Sequence, residues 1–396
     1  MKSIKREPEI LNPVVVITGA DTATGLLTAR SLSNLDCCVW GLALDVSAPC
    51  AQSKHWNKII AVKLFDSHTL KNVGLNALAA SGKKPLIIFS QDDWVIWFSR
   101  ERALFSDIFD FILPDDRIVN QMMDKTSFHQ WATEKKYTVP ESMIVDDEES
   151  LKIALGSFKK PYIIKPLVRS AQWDSQYPNQ KFFKINDTQD IPKLLDRNIF
   201  LFSERFVIQK WIPGEDSSLY FVLFSISRSG KVLARFTGQK LLQWPPQEGS
   251  TACCIVAENP GLLAQATEIV IDSGMTGLCS IEYKLDPETE RFYITEPTIG
   301  RNDYQSYIAN ISGLNLTALL VCDHFKISDN QTDKRHYPGL WFDEIALLRI
   351  IRKHKFKSVK YLFPALGFLM KRKSQAMLFD RQDLQPFIHT VKRLIK

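Results

Sequence analysis

The chain has 396 residues, of which 45% are hydrophobic and 24% are charged. This length predicts two or three domains, and this composition is typical of a globular protein and excludes disorder along the whole chain. The net charge of +6 is uneven, because residues 349–396 carry 13 Lys/Arg and two Asp, a net of +11, which leaves −5 for the other 348. The basic character therefore belongs to the C-terminal tail.

Cysteine usage and apolar runs indicate the cellular compartment. The seven cysteines are an odd number and show no CxxC spacing, which predicts reduced thiols and neither a disulfide framework nor a zinc site. The start, MKSIKREPEILNP, lacks the apolar core of a signal peptide. The apolar run 361–370 has ten residues, half of what a membrane-spanning helix needs. We therefore expect a cytoplasmic protein.

The first third of the chain alternates apolar strands with helical segments. Strand patterns occur at PVVVITG (13–19), CCVWGLAL (37–44), KIIAVKLF (58–65) and KPLIIFS (84–90), and ADTATGLLTARSLSNL (20–35) reads as a turn and an amphipathic helix. This alternation predicts a parallel sheet covered by helices. The turn GADTATG resembles a dinucleotide-binding turn but lacks the GxGxxG spacing, so we do not expect NAD(P).

The pattern changes after residue 120 to antiparallel strands mixed with helices. The predicted elements are a helix at 124–136, a strand and helix within 137–155, strands at 161–167 and 204–212, and hairpins at 219–240 and 279–297. Their order predicts an α+β region.

Two glutamates lie near opposite ends of the second hairpin. Glu282 and Glu296 interrupt strands that are otherwise largely apolar. If the strands pair across 286–290, the two positions lie nearly opposite each other, and two carboxylates in register repel. A divalent cation would relieve that repulsion, and Mg²⁺ prefers one or two carboxylates with phosphate oxygens. The alternative is a pair of solvated strand glutamates.

Three lysines accompany these glutamates. Lys165 lies inside the apolar strand PYIIKPL, Lys125 opens a helix, and Lys240 ends the strand ARFTGQK. A lysine in a buried strand is costly unless it meets an anion. Each lysine alone fits a surface residue with a buried stem. Together with the glutamates they could hold a triphosphate and its metal.

The segment FVIQKWIPGED (206–216) has a strand that runs into Ile-Pro-Gly and then into acidic residues. Such a segment can connect two sheets, with backbone groups free to contact a nucleobase and an acid free to bind a ribose hydroxyl. The alternative is a plain connection from strand to turn.

The order of these motifs resembles the ATP-grasp superfamily over about residues 10–325, and within it the carboxylate–amine ligase group that includes D-aspartate ligase-like proteins. The matching segments are MDKTSFHQWA, PYIIKPL, VIQKWIPGEDSSLYF, FTGQKLLQWPP, GLCSIEYKLD and FYITEPTIGRNDYQ. The resemblance implies a Rossmann-like pre-ATP-grasp domain (1–120), a two-lobed ATP-grasp domain (121–325, with lobes 121–210 and 211–325) and a basic helical extension (326–396).

The resemblance also implies roles for residues in nucleotide binding. Lys125 and Lys165 would contact the ATP phosphates, and Lys165 could also approach the adenine. Either Glu215 or Asp216 would bind the ribose. The base would be lined by Gln209, Lys210, Trp211 and Ile212, with Lys210 and Ile212 using their backbone.

A second set of implied roles concerns the metal and the reaction. Glu282 and Glu296 would bind Mg²⁺. Lys240 would lie near the γ-phosphate or the substrate carboxylate, and Arg301 would offset charge on the transferring phosphoryl group.

The sequence departs from the family pattern at two places. The last motif is often Glu-x-Asn-x-Arg, and here it is Glu296-Pro-Thr298-Ile-Gly-Arg301, so threonine replaces the third metal ligand and the arginine comes one position late. The loop 168–181, VRSAQWDSQYPNQK, lacks the glycines that many relatives have after the strand lysine. Arg169 or Lys181 would then contact the phosphates.

The predicted function is an ATP- and Mg²⁺-dependent ligase that activates a carboxylate as an acyl phosphate and transfers it to an amine. One alternative is an ATP-grasp module that binds nucleotide without turnover, and a second is a carboxylase-type enzyme that uses bicarbonate. The expected partners are small carboxylate and amine substrates. No nucleic-acid-binding module is recognised in the sequence.

The basic tail has apolar residues between its charged clusters, as in RIIRKHKFKSVKYLFPALGFLMKRK. It predicts amphipathic helices that cap the core with a solvated basic face. The alternative is peripheral contact with an anionic membrane, at the inner face of the cytoplasmic membrane.

Overall fold

The computed structural model describes residues 12–167, 170–178, 180–247, 249–328, 339–354 and 373–395. The chain divides into two compact units. Unit 1 contains 1–123, 220–281 and 297–396, and unit 2 contains 124–219 and 282–296. The chain thus leaves unit 1 and returns to it twice. The three-domain division in chain order stays a prediction.

The N-terminal part of unit 1 is the predicted parallel sheet. Its strands are β1 (Val14–Thr18), β2 (Cys38–Ala43), β3 (Lys58–Ala61) and β4 (Leu86–Ile88), ordered β3-β2-β1-β4. All three pairings are parallel. The intervening and following helices are α1 (Ala23–Ser31), α2 (Ser67–Ser81), α3 (Asp92–Arg100) and α4 (Asp116–Met123).

The turn GADTATG connects β1 to α1, and it lies in close contact with the loop after β4. Gly19 has a φ of +64°, and a Cβ there would lie 2.3 Å from Ser90 Oγ. The Thr22 hydroxyl caps α1 by accepting the Gly25 N–H at 3.1 Å. Glycine at position 19 is therefore explained by backbone conformation and packing within the protein.

A seven-stranded sheet carries the predicted hairpins. Its order is β13-β12-β9-β10-β11-β14-β15, and the core below it in unit 1 contains Phe221, Leu223 and Trp341. The strands are β9 (Leu219–Ile226), β10 (Val232–Trp244), β11 (Ser250–Val256), β12 (Gly277–Asp286), β13 (Arg291–Ile299), β14 (Gly339–Phe342) and β15 (Lys373–Ala376). The helices of this part are α9 (Pro260–Ser273), α10 (Tyr307–Ile311), α11 (Leu316–Phe325), α12 (Glu344–His354) and α13 (Gln385–Ile395).

Unit 2 is built on a four-stranded antiparallel sheet of order β5-β8-β6-β7. Its core centres on three fully buried side chains, Tyr162, Trp173 and Phe206. The strands are β5 (Ser142–Val145), β6 (Tyr162–Pro166), β7 (Phe183–Ile185) and β8 (Phe206–Lys210), and the helices are α5 (Lys125–Glu134), α6 (Glu148–Ser157), α7 (Ala171–Gln176) and α8 (Asp190–Leu195).

The C-terminal segment is attached to α1 by a buried ion pair. The Arg30 and Asp383 side chains are 1% and 0% exposed, and Arg30 Nη2 lies 3.0 Å from Asp383 Oδ2. Arg30 also donates to the backbone carbonyls of Met377, Leu378 and Asp383. The predicted helical extension therefore also supplies two strands, β14 and β15, and a segment that packs on α1.

Within the described ranges, no single helix has the length and apolarity to cross a membrane. The two helical segments 304–311 and 316–325, which are bent relative to each other, reach that length and apolarity only when they are counted together. The apolar run 361–370 lies outside the described residues.

Candidate functional site

Lys165 and Gln209 lie side by side on neighbouring strands of unit 2. In the antiparallel register of β6 and β8, Lys165 faces Val207 and Ile163 faces Gln209, so Lys165 and Gln209 are diagonal neighbours on one face. Lys165 Nζ donates to Gln209 Oε1 at 3.0 Å, and Gln209 Nε2 donates to Ser142 Oγ at 2.9 Å. The sheet thus fixes an ammonium group beside a neutral amide.

The charge of Lys165 is poorly compensated. Burial, and then the like charge of Lys125, lower the pKa of Lys165 from 10.5 to about 8, while Glu296 acts in the opposite direction. Lys125 is the first residue of α5, after the capping Asp124, which accepts the Ser127 N–H at 2.8 Å. Lys125, Lys165 and Glu296 therefore share one electrostatic environment in unit 2, as a phosphate-binding site requires.

In the segment after β8, one N–H group of a buried residue has no acceptor among the described residues. The N–H groups of Lys210 and Trp211 donate to the carbonyls of Glu141 (2.8 Å) and Pro161 (3.1 Å). Ile212 is 5% exposed, and within the described part of the chain its N–H meets no acceptor. Because buried N–H groups are almost always paired, this donor is suited to a ligand acceptor such as a ring nitrogen.

The indole of Trp211 is flanked by two lysines that sequence reasoning missed. Lys184 Nζ lies 4.2 Å and Lys284 Nζ 4.7 Å from the ring centroid, and the Phe182 ring lies at 5.7 Å. Lys284 is only 7% exposed. A signal was present, because Lys284 sits in the apolar strand SIEYKL just as Lys165 sits in PYIIKPL.

Glu215 and Asp216 both contribute to the field at Lys284. Burial lowers the pKa of Lys284, and Asp216, then Glu215 and Glu282, oppose that shift. The backbone turns before them at Gly214, where φ is +115° and a Cβ would lie 2.3 Å from Ser218 Oγ. The choice between the two carboxylates for ribose binding stays open.

Glu282 and Glu296 lie on the neighbouring strands β12 and β13. Glu282 is half-buried and Glu296 is exposed, and Thr295 Oγ1 donates to Glu282 Oε1 at 3.5 Å. Among the described residues, no group of three or more His, Cys, Asp or Glu side chains is arranged for a metal ion. Two carboxylates fit Mg²⁺, which completes its shell with water and phosphate oxygens, and do not form an all-protein metal cage.

Three of the predicted residues belong to unit 1. Lys240 is 4% exposed and lies on β10 opposite Cys254 of β11. Thr298 is half-buried near the end of β13, and Arg301 follows that strand.

Arg301 is held by two carboxylates of its own unit. Its Nε and Nη2 donate to the two oxygens of Asp92 at 2.6 and 2.9 Å, and its Nη1 donates to Asp303. Burial alone would lower the pKa of Arg301, but Asp303 and Asp92 outweigh burial and raise it. This pairing was not anticipated, since 209 positions separate Arg301 from Asp92.

The conformation of Gly300 partly explains why Arg301 comes one position later than the arginine of the family motif. Its φ is +75°, and a Cβ there would lie 2.4 Å from Leu113 Cδ2 and 3.0 Å from Val95 Cγ1. The glycine inserted between Thr298 and Arg301 therefore allows the chain to turn closely against α3, which begins with Asp92.

The chain is similar in sequence to the D-aspartate ligase of Enterococcus faecium. The two are 22% identical over 293 residues, which cover 71% of this chain and 69% of that protein. No model of a known protein family matches the chain.

Solved structures resemble the chain over most of its length. The N5-carboxyaminoimidazole synthetase of Staphylococcus aureus complexed with ADP has a TM-score of 0.66 at 13% identity and covers 89% of each chain. The L-amino acid ligase of Bacillus licheniformis has a TM-score of 0.57 at 12% identity and covers 82% of this chain and 76% of that one. The predicted fold class is confirmed, and so is the resemblance of this chain to the ATP-grasp carboxylate–amine ligase group.

Proposed function

We propose that this protein is an ATP- and Mg²⁺-dependent ligase that activates a carboxylate as an acyl phosphate and joins it to an amine, with release of ADP and phosphate. The main support is the grouping of Lys165 with Lys125, Gln209 and Glu296 in unit 2. Its excess cationic character suits a triphosphate. The similarity to a D-aspartate ligase over two thirds of both chains supports the reaction class.

In this proposal unit 2 supplies most of the nucleotide contacts. Lys125 and Lys165 bind phosphate oxygens, the Ile212 N–H donates to the base, and Glu215 or Asp216 binds the ribose. The side chains of Gln209 and Trp211 and the backbone of Lys210 line the base. ATP binding would supply the anion that the Lys165 ammonium lacks.

Two carboxylates are proposed to hold the metal. Glu282 and Glu296 would bind Mg²⁺, and the ion would neutralise charge on the transferring phosphoryl group. Thr298 replaces the usual asparagine, and a hydroxyl is a poorer ligand than an amide oxygen, so water would fill that position.

The chemistry follows from charge. A carboxylate and a phosphate are both anions, so their approach needs cations, and we assign this part to Lys240 and Arg301. Phosphorylation converts the carboxylate oxygen into a good leaving group, and the amine then attacks the acyl carbon and expels phosphate. No serine or cysteine nucleophile is needed, and positioning supplies the rate.

The substrates are proposed from the relatives. One relative is named a D-aspartate ligase and a structural neighbour an L-amino acid ligase. We therefore propose an amino acid as the activated carboxylate and place D-aspartate first in the order of testing.

The test is a screen for ADP release with Mg²⁺ and ATP. Amino acids, starting with D-aspartate, are combined with candidate amines, and release should require both substrates and the metal. Nucleotide binding without release under every condition would favour the non-catalytic module. Release that depends on bicarbonate and on no other carboxylate would favour the carboxylase-type enzyme.

We further propose that the protein acts in the cytoplasm and that its basic tail contacts anionic membranes. On α12, the exposed Leu348 and Ile351 lie beside the exposed Arg349, Arg352 and Lys353, a mixture typical of interfacial helices. Co-sedimentation with vesicles of phosphatidylglycerol, and not with phosphatidylcholine alone, is expected. Equal sedimentation with both, or with neither, contradicts this proposal.

A further inference from the structure

A polar cavity of about 600 Å³ lies in unit 1, at the amino edge of its parallel sheet. Its lining includes Asn34, four residues before β2 begins, and His55, three residues before β3 begins. These loops precede the strands, whereas the loops after β1 and β4 lie at the opposite, carboxyl edge. The cavity is therefore a feature of unit 1 that the proposed ligase chemistry does not use, and its volume is in the range of small-molecule sites.

The lining is rich in groups that both donate and accept hydrogen bonds. The groups from α10 and the C-terminal segment are the Tyr307 hydroxyl, the Asn310 amide and the Gln382 amide. Asn310 spends one N–H on Ser31 Oγ at 2.6 Å, which leaves its carbonyl oxygen for another donor. Burial lowers the pKa of His55 and raises the pKa of Tyr307 to about 12, so both side chains are neutral near pH 7 and keep a donor and an acceptor.

The charges at the cavity disfavour anions. The Arg30 guanidinium is already committed to four hydrogen bonds, with the Asp383 carboxylate and three backbone carbonyls. Asp380 also lines the cavity, and its Oδ1 accepts the Gln382 N–H at 2.8 Å. Among the described lining residues, Arg30 is balanced by Asp383 and Asp380 adds a carboxylate. The neighbouring Lys54 acts on His55 from outside the lining. A phosphate or carboxylate would therefore find no unbalanced cation among these lining residues.

We propose that this cavity binds a sugar that is uncharged or carries an amine. Hydroxyl groups donate and accept at closely spaced positions, as the amides, the imidazole and the phenol of the wall do. An amine would add an ion pair with Asp380. The volume accommodates a monosaccharide or a disaccharide.

Isothermal titration calorimetry of the full chain tests the proposal with glucose, glucosamine, maltose and glucose 6-phosphate. At least one of the first three binds, and glucose 6-phosphate binds more weakly than glucose. Tyr307→Phe and Asn310→Ala each weaken binding about tenfold, the effect of one lost hydrogen bond. Asn72→Ala, an exposed asparagine on α2, is the matched control and leaves binding unchanged.

Three results would overturn the proposal. The first is the absence of binding heat from all three phosphate-free sugars at concentrations up to about 50 mM, above the millimolar range of weak ligands. The second is tighter binding of glucose 6-phosphate than of glucose. The third is sugar binding that neither cavity variant changes. If either cavity variant has a lowered Tm, the exposed Gln382→Ala replaces it, because a surface amide can be removed without disturbing the core.

Discussion

Two cationic centres of this protein, at Lys165 and at Arg301, differ in what balances their charge. Lys165 in unit 2 donates to a neutral amide, and burial and Lys125 lower its pKa to about 8. Arg301 in unit 1 lies between Asp92 and Asp303, which raise its pKa. The first centre needs an anion that the protein does not supply in full, and the second already has two. The charge of a residue predicted from a motif can therefore be unbalanced or already balanced before a ligand binds, and an anionic ligand gains more from the first kind than from the second.

The largest expected effect comes from removing the carboxylate that acts on Lys165. Glu296→Gln should lower the ligase turnover number by at least about 100-fold, because a neutral amide holds Mg²⁺ poorly and the ion would neutralise the charge on the phosphoryl group. Steady-state ADP release measures this. Glu288→Gln, in the exposed turn of the same hairpin, is the control and should keep full activity. A fully active Glu296→Gln protein would defeat the metal assignment.

The next effect is on nucleotide affinity. Lys165→Met should weaken ATP binding by about 10- to 100-fold, the loss expected for one or more charged hydrogen bonds. Fluorescence titration with a nucleotide analogue measures it. Lys152→Met is the control, since Lys152 is exposed and pairs with Glu148 on the same helix. Equal affinities of the Lys165→Met and unaltered proteins would contradict an anion-binding role.

The lowered pKa of Lys165 predicts a pH effect of about tenfold. Because its pKa is about 8, the side chain is mostly charged at pH 7 and mostly neutral at pH 9. ATP binds the charged form, so affinity should fall as pH rises through 8, and binding above pH 8 should take up a proton. Calorimetry in buffers of different ionisation enthalpy detects that uptake. The Lys165→Met protein should lose both signals, and their persistence there would assign them to another group.

The smallest effect concerns the stability of the Arg301 centre. Arg301→Met leaves Asp92 and Asp303 without their shared cation and should lower the free energy of unfolding by about 1 kcal/mol, a low value because Asp92 is 49% exposed. Lys165→Met should not destabilise the fold, since it removes a poorly paired charge. Urea unfolding compares the two. A destabilised Lys165→Met beside an unchanged Arg301→Met would reverse the distinction between the centres.

Most of the strands and both hairpins were predictable because their signals are local, whereas β7 and β11 were not predicted. Apolar runs marked β1, β2 and β6, and the turn SRSGK marked the hairpin of β9 and β10. The strands β14 and β15 were not predicted, because each has four residues and gains its place only by pairing with a distant part of the sheet. Strand assignment in such short segments depends on tertiary context.

The site was predictable as a set of residues and not as a set of partners. A lysine among Ile163, Ile164 and Leu167 is unusual enough to be noticed in the sequence. No local pattern predicts the pairing of Arg301 with Asp92. The same is true of the contacts of Lys184 and Lys284 with the Trp211 ring. Those contacts depend on where the strands and loops meet in the fold.

The ion pair of Arg30 with Asp383 sets a limit on how far the chain can be shortened from its C-terminus. Removing the last 14 residues would delete Asp383 and leave a guanidinium in the interior without its counter-charge, a loss of about 3–5 kcal/mol. Removal of the last few residues of α13, where Leu394 and Ile395 are 61% and 80% exposed, should be tolerated. An affinity tag at this end is therefore better appended after the helix than substituted for it.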